Sequence, residues 1–315
     1  MKFTRRKFWV AFVLVSSCAA IAIFFHFYAK GISEYLDDRG DEFSIQSQSR
    51  DAIIYFSWAV LLDPHNASAY FHRGDERLRL DDIKSASPDY DLAVEVAEYK
   101  SFYRSKRAEL RMNQHLYPEA LSDLNDNINE LGDPDDYYTR GILDLILHKP
   151  KEARADFDAA IKVYPESKYL IARSSLEYLD RQPDLTVADL REAFKSEPPN
   201  ISSELLLWLA QSEDPTKRTA ANSELFDYLQ ANAATQSSSQ IRIGLFLVGK
   251  ISLEELLQNT SNASNAGDYF YAAVKAYFEG NVSAAKFFIE KCKYSEYDGI
   301  LFQSKVEYWR QRIES

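Results

Sequence analysis

Apolar and polar positions along this chain repeat with two periods, one nested in the other. The shorter period is helical. In AIIYFSWAVLLDP (52–64), Ala52, Phe56 and Ala59 stand at offsets of four and seven, which places them on one helix face, and Pro64 ends the run. The longer period is 33–34 residues. It returns the same order of small, large, small and terminating positions as Ala52/Phe56/Ala59/Pro64, Ala86/Tyr90/Ala93/Glu98, Ala120/Leu124/Asn127/Gly132, Ala153/Phe157/Ala160/Pro165 and Thr186/Leu190/Ala193/Pro198. Twelve residues before each set stand Gly40, Gly74, Ala108, Gly141 and Ser174, all small. A repeat of this length predicts stacked helical hairpins, each leaving an apolar face that only a neighbour can cover. The small residue on the first helix lets the second approach, the large residue fills the space beside it, and the terminal proline stops the second helix. The predicted fold class is all-α, an α-solenoid of about five hairpins over residues 31–199.

These residues resemble the tetratricopeptide repeat, through Tyr70, Gly74, Ala86, Tyr90 and Ala93 and again through Tyr137, Gly141, Ala153, Phe157, Ala160 and Pro165. The resemblance covers residues 33–199. Unit three departs from it, with Asn127 at a small-residue position and Arg104 at the first aromatic one. In unit two Pro88 falls within the second helix, where loss of the amide donor predicts a kink.

Residues 200–262 break the period. SSELLLWLAQ and SELFDYLQAN are helical, ANAATQSSSQ is a polar loop, and IGLFLVGKISLEELLQN is a helix, a stop at Gly249 and a second helix start. The repeat returns once over 263–315, through Tyr269, Ala273, Gly280, Ala285, Ile289 and Cys292. Tyr297–Ile313 then predicts a capping helix whose Gln303, Lys305, Glu307, Arg310, Gln311 and Arg312 suit a solvent face.

Residues 1–30 are of another kind. Lys2, Arg5, Arg6 and Lys7 precede Phe8–Ala29, which carries no charge. As a helix that run is roughly 33 Å long, enough to cross a hydrocarbon core of about 30 Å. The basic flank keeps the N-terminus cytoplasmic, so a single-pass signal anchor would place everything after residue 30 in the periplasm of a bacterium. Other readings also export the body: a lipobox at Val15-Ser16-Ser17-Cys18, with lipidation of Cys18, a cleavage site at Ala20-Ile21-Ala22, or a twin-arginine signal at Thr4–Phe8. Against lipidation, AAIAIFFHFYA follows the cysteine where a polar tether is expected.

PPNISSELLLWLAQ, LFLVGKISLEELL and DYFYAAVKAYFEGNVSAAKFF, in that order, resemble the NlpI-type tetratricopeptide lipoproteins of the bacterial envelope. That resemblance implies a periplasmic, often dimeric adaptor that docks peptidoglycan hydrolases and a processing protease. The membrane-anchor reading of the N-terminus departs from it.

Composition narrows function mainly by exclusion. At 315 residues and 46% hydrophobic the chain can bury a large core. Its formal net charge of −11 argues against nucleic acid, whose phosphates are held by Lys and Arg. The two cysteines make no disulfide framework. The five histidines have no metal-ligand spacing, and no phosphate-binding or nucleophile motif occurs. Asp81-Asp82 and Asp135-Asp136 suit turns and helix starts. Asn66-Ala67-Ser68 is one of several glycosylation sequons that would matter only in a eukaryotic secretory route. No enzyme activity, cofactor or metal is expected.

What remains is binding. Solenoids of this kind hold peptides or helices along a concave groove lined by first helices. The register puts Phe71, His72, Asp75 and Arg79 there in unit two, Ser105, Lys106, Glu109 and Asn113 in unit three, and Tyr138, Thr139 and Ile142 in unit four. Phe71 and Tyr138 would anchor a ligand and the charges orient it, although any one of these side chains could equally be solvated or packed between repeats. The Lys/Asn clamp of carboxylate-binding relatives is missing, since Lys106 has no matching pair. The expected function is a non-catalytic scaffold that recruits envelope proteins such as cell-wall hydrolases or proteases. The alternative is a structural subunit of a secretion, pilus or outer-membrane assembly.

Overall fold

The computed structural model describes residues 28–232, 238–258, 266–292 and 300–315, all as helices and short connections, with no strand among them. In chain order the helices are α1 (28–45), α2 (Ser49–Leu62), α3 (Ala67–Arg79), α4 (Ile83–Val96), α5 (Ser101–Asn113) and α6 (Tyr117–Glu130). They continue as α7 (Pro134–Ile146), α8 (Pro150–Val163), α9 (Ser167–Leu179), α10 (Pro183–Ser196), α11 (Ile201–Ser212) and α12 (Arg218–Asn232). The remainder are α13 (Ser238–Leu247), α14 (Leu253–Leu257), α15 (Ala266–Phe278), α16 (Val282–Lys291) and α17 (Ile300–Glu314). The apolar run up to Phe27, with Cys18, lies outside the described residues. Among those described, no helix is long and apolar enough to cross a membrane.

The longer period becomes hairpins pairing α3 with α4, α5 with α6, α7 with α8, α9 with α10 and α15 with α16. All fifteen non-terminating members of the five sets are buried, and so are Gly40, Gly74, Ala108, Gly141 and Ser174. A methyl group built on Gly40, Gly74 or Gly141 would fall under 3 Å from the ring of Phe56, Tyr90 or Phe157. The aromatic of each second helix therefore occupies the space that its glycine leaves, as the spacing predicts. Unit three keeps the geometry with different chemistry. Asn127 is fully buried, and its Nδ2 donates to the Ser101 carbonyl (2.8 Å) and Ser105 Oγ (2.9 Å), so the polar substitution is paid in hydrogen bonds. Pro88 lies inside α4, which remains a single helix.

The hairpins before residue 199 turn without glycine. Ser47, Asp81, His115, His148 and Arg181 take φ between +58° and +60°, at the same 34- and 33-residue spacing. The residue after each one donates its N–H to a carbonyl five positions back, as in Asp82 to Arg77 (2.9 Å) and Gln182 to Glu177 (2.9 Å), closing the helix end. Gly249 and Gly280 serve the same turn after α13 and α15.

The chain divides into two compact units at Leu131/Gly132. In the first, α1–α6, small clusters sit between successive hairpins, such as Phe71, Tyr90, Ala93 and Leu110. The second, α7–α17, holds the largest core. It runs from Tyr178 and Leu190 through α11, α12, α13, α15 and α16 to Trp309 and Ile313, so it continues across residue 199, where the loss of period predicts a boundary. The expected capping helix, α17, packs on α16 and α15 but also on α9 and α7. Val306, Trp309 and Ile313 are buried there, and of the six polar residues expected on its solvent side only Gln311 is exposed, the other five being half-buried.

Candidate interaction surfaces on the first helices

A polar device that the apolar pattern does not reveal fixes the first helices. Arg73, Arg107, Arg140 and Arg173 each precede the small residue of a first helix, and Asp89, Asp123, Asp156 and Asp189 each precede the large residue of its partner. Every pair is bidentate through Nε and Nη2, at 2.6–3.0 Å, with the aspartate buried. Arg77 adds a second guanidinium to Asp89 (2.5 Å) and Arg111 to Asp123 (2.7 Å). Arg107 and Arg173 also reach back to the preceding hairpin, at Asp91 (3.0 Å) and Asp158 (2.7 Å). Each such arginine thus clamps its own hairpin and ties it to the one before.

In the first unit, α3 and α5 present the expected groove residues in unequal ways. Phe71 is buried, with ring centroids of Tyr90, Phe102 and Tyr103 at 5.5, 5.1 and 5.8 Å, so it supports the surface from beneath. Two aromatics near it are offered to solvent, Phe102, 52% exposed, and Tyr99, 80% exposed. Both line a cavity of about 630 Å³ where α1, α3 and α5 begin, together with Lys30, Glu34, Asp63 and Tyr103. Asp75 accepts a hydrogen bond from the Tyr90 hydroxyl, which limits its freedom to orient a ligand. Arg79 is spent on Glu76 (2.8 Å) and on Ser44 Oγ (3.0 Å). Ser105 donates to the Ser101 carbonyl, Lys106 pairs with Glu109 along α5 (2.9 Å), and Asn113 is exposed at the end of α5.

His72 has surroundings that its lone position in the sequence does not suggest. Its Nδ1 lies 3.4 Å from Asp37 Oδ1 and 3.1 Å from Asp41 Oδ1, both on α1. Burial works against its charged form, but the hydrogen bond to Asp37 and the charges of Asp41, Asp37 and Asp75 outweigh it, and the imidazole pKa is raised. Burial, with the like charges of Asp37, Asp38 and Glu76, raises that of Asp41 against the opposing pull of His72. The partners lie 35 and 31 residues upstream, so no ligand spacing could show them.

In the second unit the chain itself fills the corresponding face. Tyr138 and Ile142 of α7 pack with Leu145, Phe157, Ala172 and Leu176, and Leu301 of α17 joins them. Thr139, beside Tyr138, is half-buried. Further along, Trp309 donates Nε1–H to the Tyr178 hydroxyl (3.1 Å), which in turn donates to Glu213 (2.9 Å). Arg312 closes the set with two bonds to Glu213 (2.6 and 2.7 Å) and lies over the Trp309 ring at 4.7 Å. Tyr138 and Ile142, expected to face a foreign ligand, are thus set beside an internal helix.

No family model matches this sequence, and no curated protein sequence matches it. Solved structures do. The Pseudomonas aeruginosa pilF protein superposes with a TM-score of 0.56 at 16% identity, over 68% of this chain and 96% of that one. A tetratricopeptide repeat protein from Parabacteroides merdae gives 0.55 at 14%, covering 89% and 99%. The C-terminal part of a repeat-containing protein from Cytophaga hutchinsonii gives 0.55 at 12%, covering 85% and 98%. At such identities the likeness carries the fold and nothing finer, and it does not single out the NlpI-type group. The hairpin geometry and these superpositions agree: the chain has the tetratricopeptide-repeat fold.

Proposed function

We propose that this protein is a non-catalytic adaptor which takes a helix of a protein partner on the α1–α3–α5 face of its first unit. The observation that carries this reading is α17. On the first-helix face of the second unit the chain seats an amphipathic helix by an apolar residue (Leu301), an indole with its N–H satisfied (Trp309) and an arginine on a half-buried carboxylate (Arg312 on Glu213). The first unit offers comparable chemistry at Phe102, Tyr99 and Glu34, all exposed and lining one cavity. A partner helix with one large apolar residue and one basic residue a turn or two away fits that surface. The uncharged run Phe8–Ala29 behind four basic residues supports the second part of the proposal: the body is exported and held at a membrane, with partners among envelope proteins.

Photocrosslinking tests the binding surface. A crosslinking residue at Tyr99 should trap a partner that one at Leu61, on the outer side of α2, does not, and Phe102→Ala should abolish the adduct. Equal trapping at both positions would overturn the assignment. A reporter active only outside the cytoplasm, fused after Ser315, checks export: a stable but inactive fusion would remove that part of the proposal.

A further inference from the structure

The seam between α1 and α3 carries two pairs of potential metal ligands, each spaced one helical turn apart. Asp37 and Asp41 project from α1, and His72 and Glu76 from α3. One donor atom from each of Asp37, Asp41 and His72 lies within 4.8 Å of the others, the separation that a single ion can bridge. The imidazole is held in place before any ion arrives, with the rings of Phe56 and Phe71 each at 5.5 Å. Glu76 supplies a second, independent observation. It is 2% exposed and crosses to α1, where its Oε1 accepts from Ser44 Oγ (2.5 Å), one turn along from Asp41, and also pairs with Arg79 (2.8 Å). Its Oε2 is buried and accepts no hydrogen bond. A buried carboxylate oxygen without a donor is costly, and a cation bound in the same seam would offset that cost.

We propose that Asp37, Asp41 and His72 bind one divalent transition-metal ion of zinc-like preference. The donor set decides the class. An imidazole nitrogen among carboxylate oxygens suits zinc, cobalt or manganese better than calcium or magnesium, which favour oxygen alone, and without a thiolate it does not select copper(I). Binding joins α1 to α3. The proposal does not depend on that face holding a partner helix.

The test uses the full chain, stripped with a chelator and titrated with Co²⁺. One equivalent should bind and give a visible absorption band, and Zn²⁺ should displace it while Mg²⁺ in large excess does not. His72→Gln and Asp41→Asn, each shown folded by circular dichroism, should weaken that equivalent by about 100-fold or more, whereas His115→Gln should leave it unchanged. Absence of binding to the wild-type protein would overturn the assignment. So would a His72→Gln variant with the same stoichiometry and spectrum, or displacement of Co²⁺ by Mg²⁺ as readily as by Zn²⁺.

Discussion

A methyl group at Gly141 would stand 2.6 Å from Phe157 Cε1 and 3.2 Å from the Ala153 carbonyl oxygen, so Gly141→Ala must push the ring, the backbone or both. Overpacking of this kind costs about 1–3 kcal/mol, and urea denaturation of the variant should show a loss in that range. The turn residues err in the opposite direction. His148 is exposed and sits at φ +58°, a conformation that costs a residue with a Cβ about 1–2 kcal/mol. Part of that gain is returned through the greater freedom of glycine in the unfolded chain, so His148→Gly should stabilise by about 0.5–1 kcal/mol in the same assay. The first of these sites was legible in the sequence, because a small residue opposite an aromatic recurs at a fixed spacing. The second was not. Ser, Asp, His and Arg share no side-chain property that marks a left-handed turn, and only the backbone reveals what these positions have in common.

Between helices, the repeated Arg–Asp clamp replaces part of what a larger apolar contact would do. Asp123 is buried beneath two guanidiniums, Arg107 and Arg111, so Asp123→Ala strips two partly buried cations of their buried partner and leaves them only the exposed Asp91. Breaking a buried pair from one side costs about 3–5 kcal/mol. Asp91 meets the same two arginines from the preceding hairpin but is 56% exposed. Its removal should cost under about 1 kcal/mol, and the contrast between Asp91→Ala and Asp123→Ala is the measurement that checks burial as the deciding variable. The clamp was present in the sequence as Arg and Asp sixteen residues apart in four consecutive units, but charged positions at helical spacing ordinarily denote a solvated face. The His72 cluster was further out of reach, since it joins residues of two hairpins through a seam that no local period describes. The position of α17 was out of reach too: a mixed polar and aromatic helix at the end of a repeat array fits a cap as well as it fits a groove.

At the scale of the second unit, pH becomes a structural variable. Burial, then the charge of Asp189, pushes the Glu177 carboxyl up to about 7; burial, then Glu224, does the same for Glu204. An unfolded glutamate titrates near about 4.3, so the folded state holds these protons more tightly. Their contribution is complete below about pH 4.3 and is lost as pH rises through about 7. Lys305 works in another window. Burial lowers its ammonium to about 8, so its contribution is present above the unfolded value and fades as pH falls through about 8. Chemical denaturation should therefore show stability declining between pH 5 and 7, and Glu177→Gln should flatten the decline; an unchanged slope would count against the assignment. The fold class and the hairpin cores followed from the nested periods alone, since burial of small and large residues at fixed intervals is what the sequence encodes most redundantly. Which faces are open and which are filled depends on contacts between residues far apart in the chain.

Trp309 hydrogen-bonds to Tyr178 across 131 residues of sequence. A ribosome delivers the first unit early, and its hairpins can assemble from neighbours only a few dozen residues apart. The core of the second unit has no such freedom: its indole leaves the ribosome 131 residues after the tyrosine it binds. Until then the seat for α17 stays bare, and that nascent apolar trough is the surface a chaperone would find waiting.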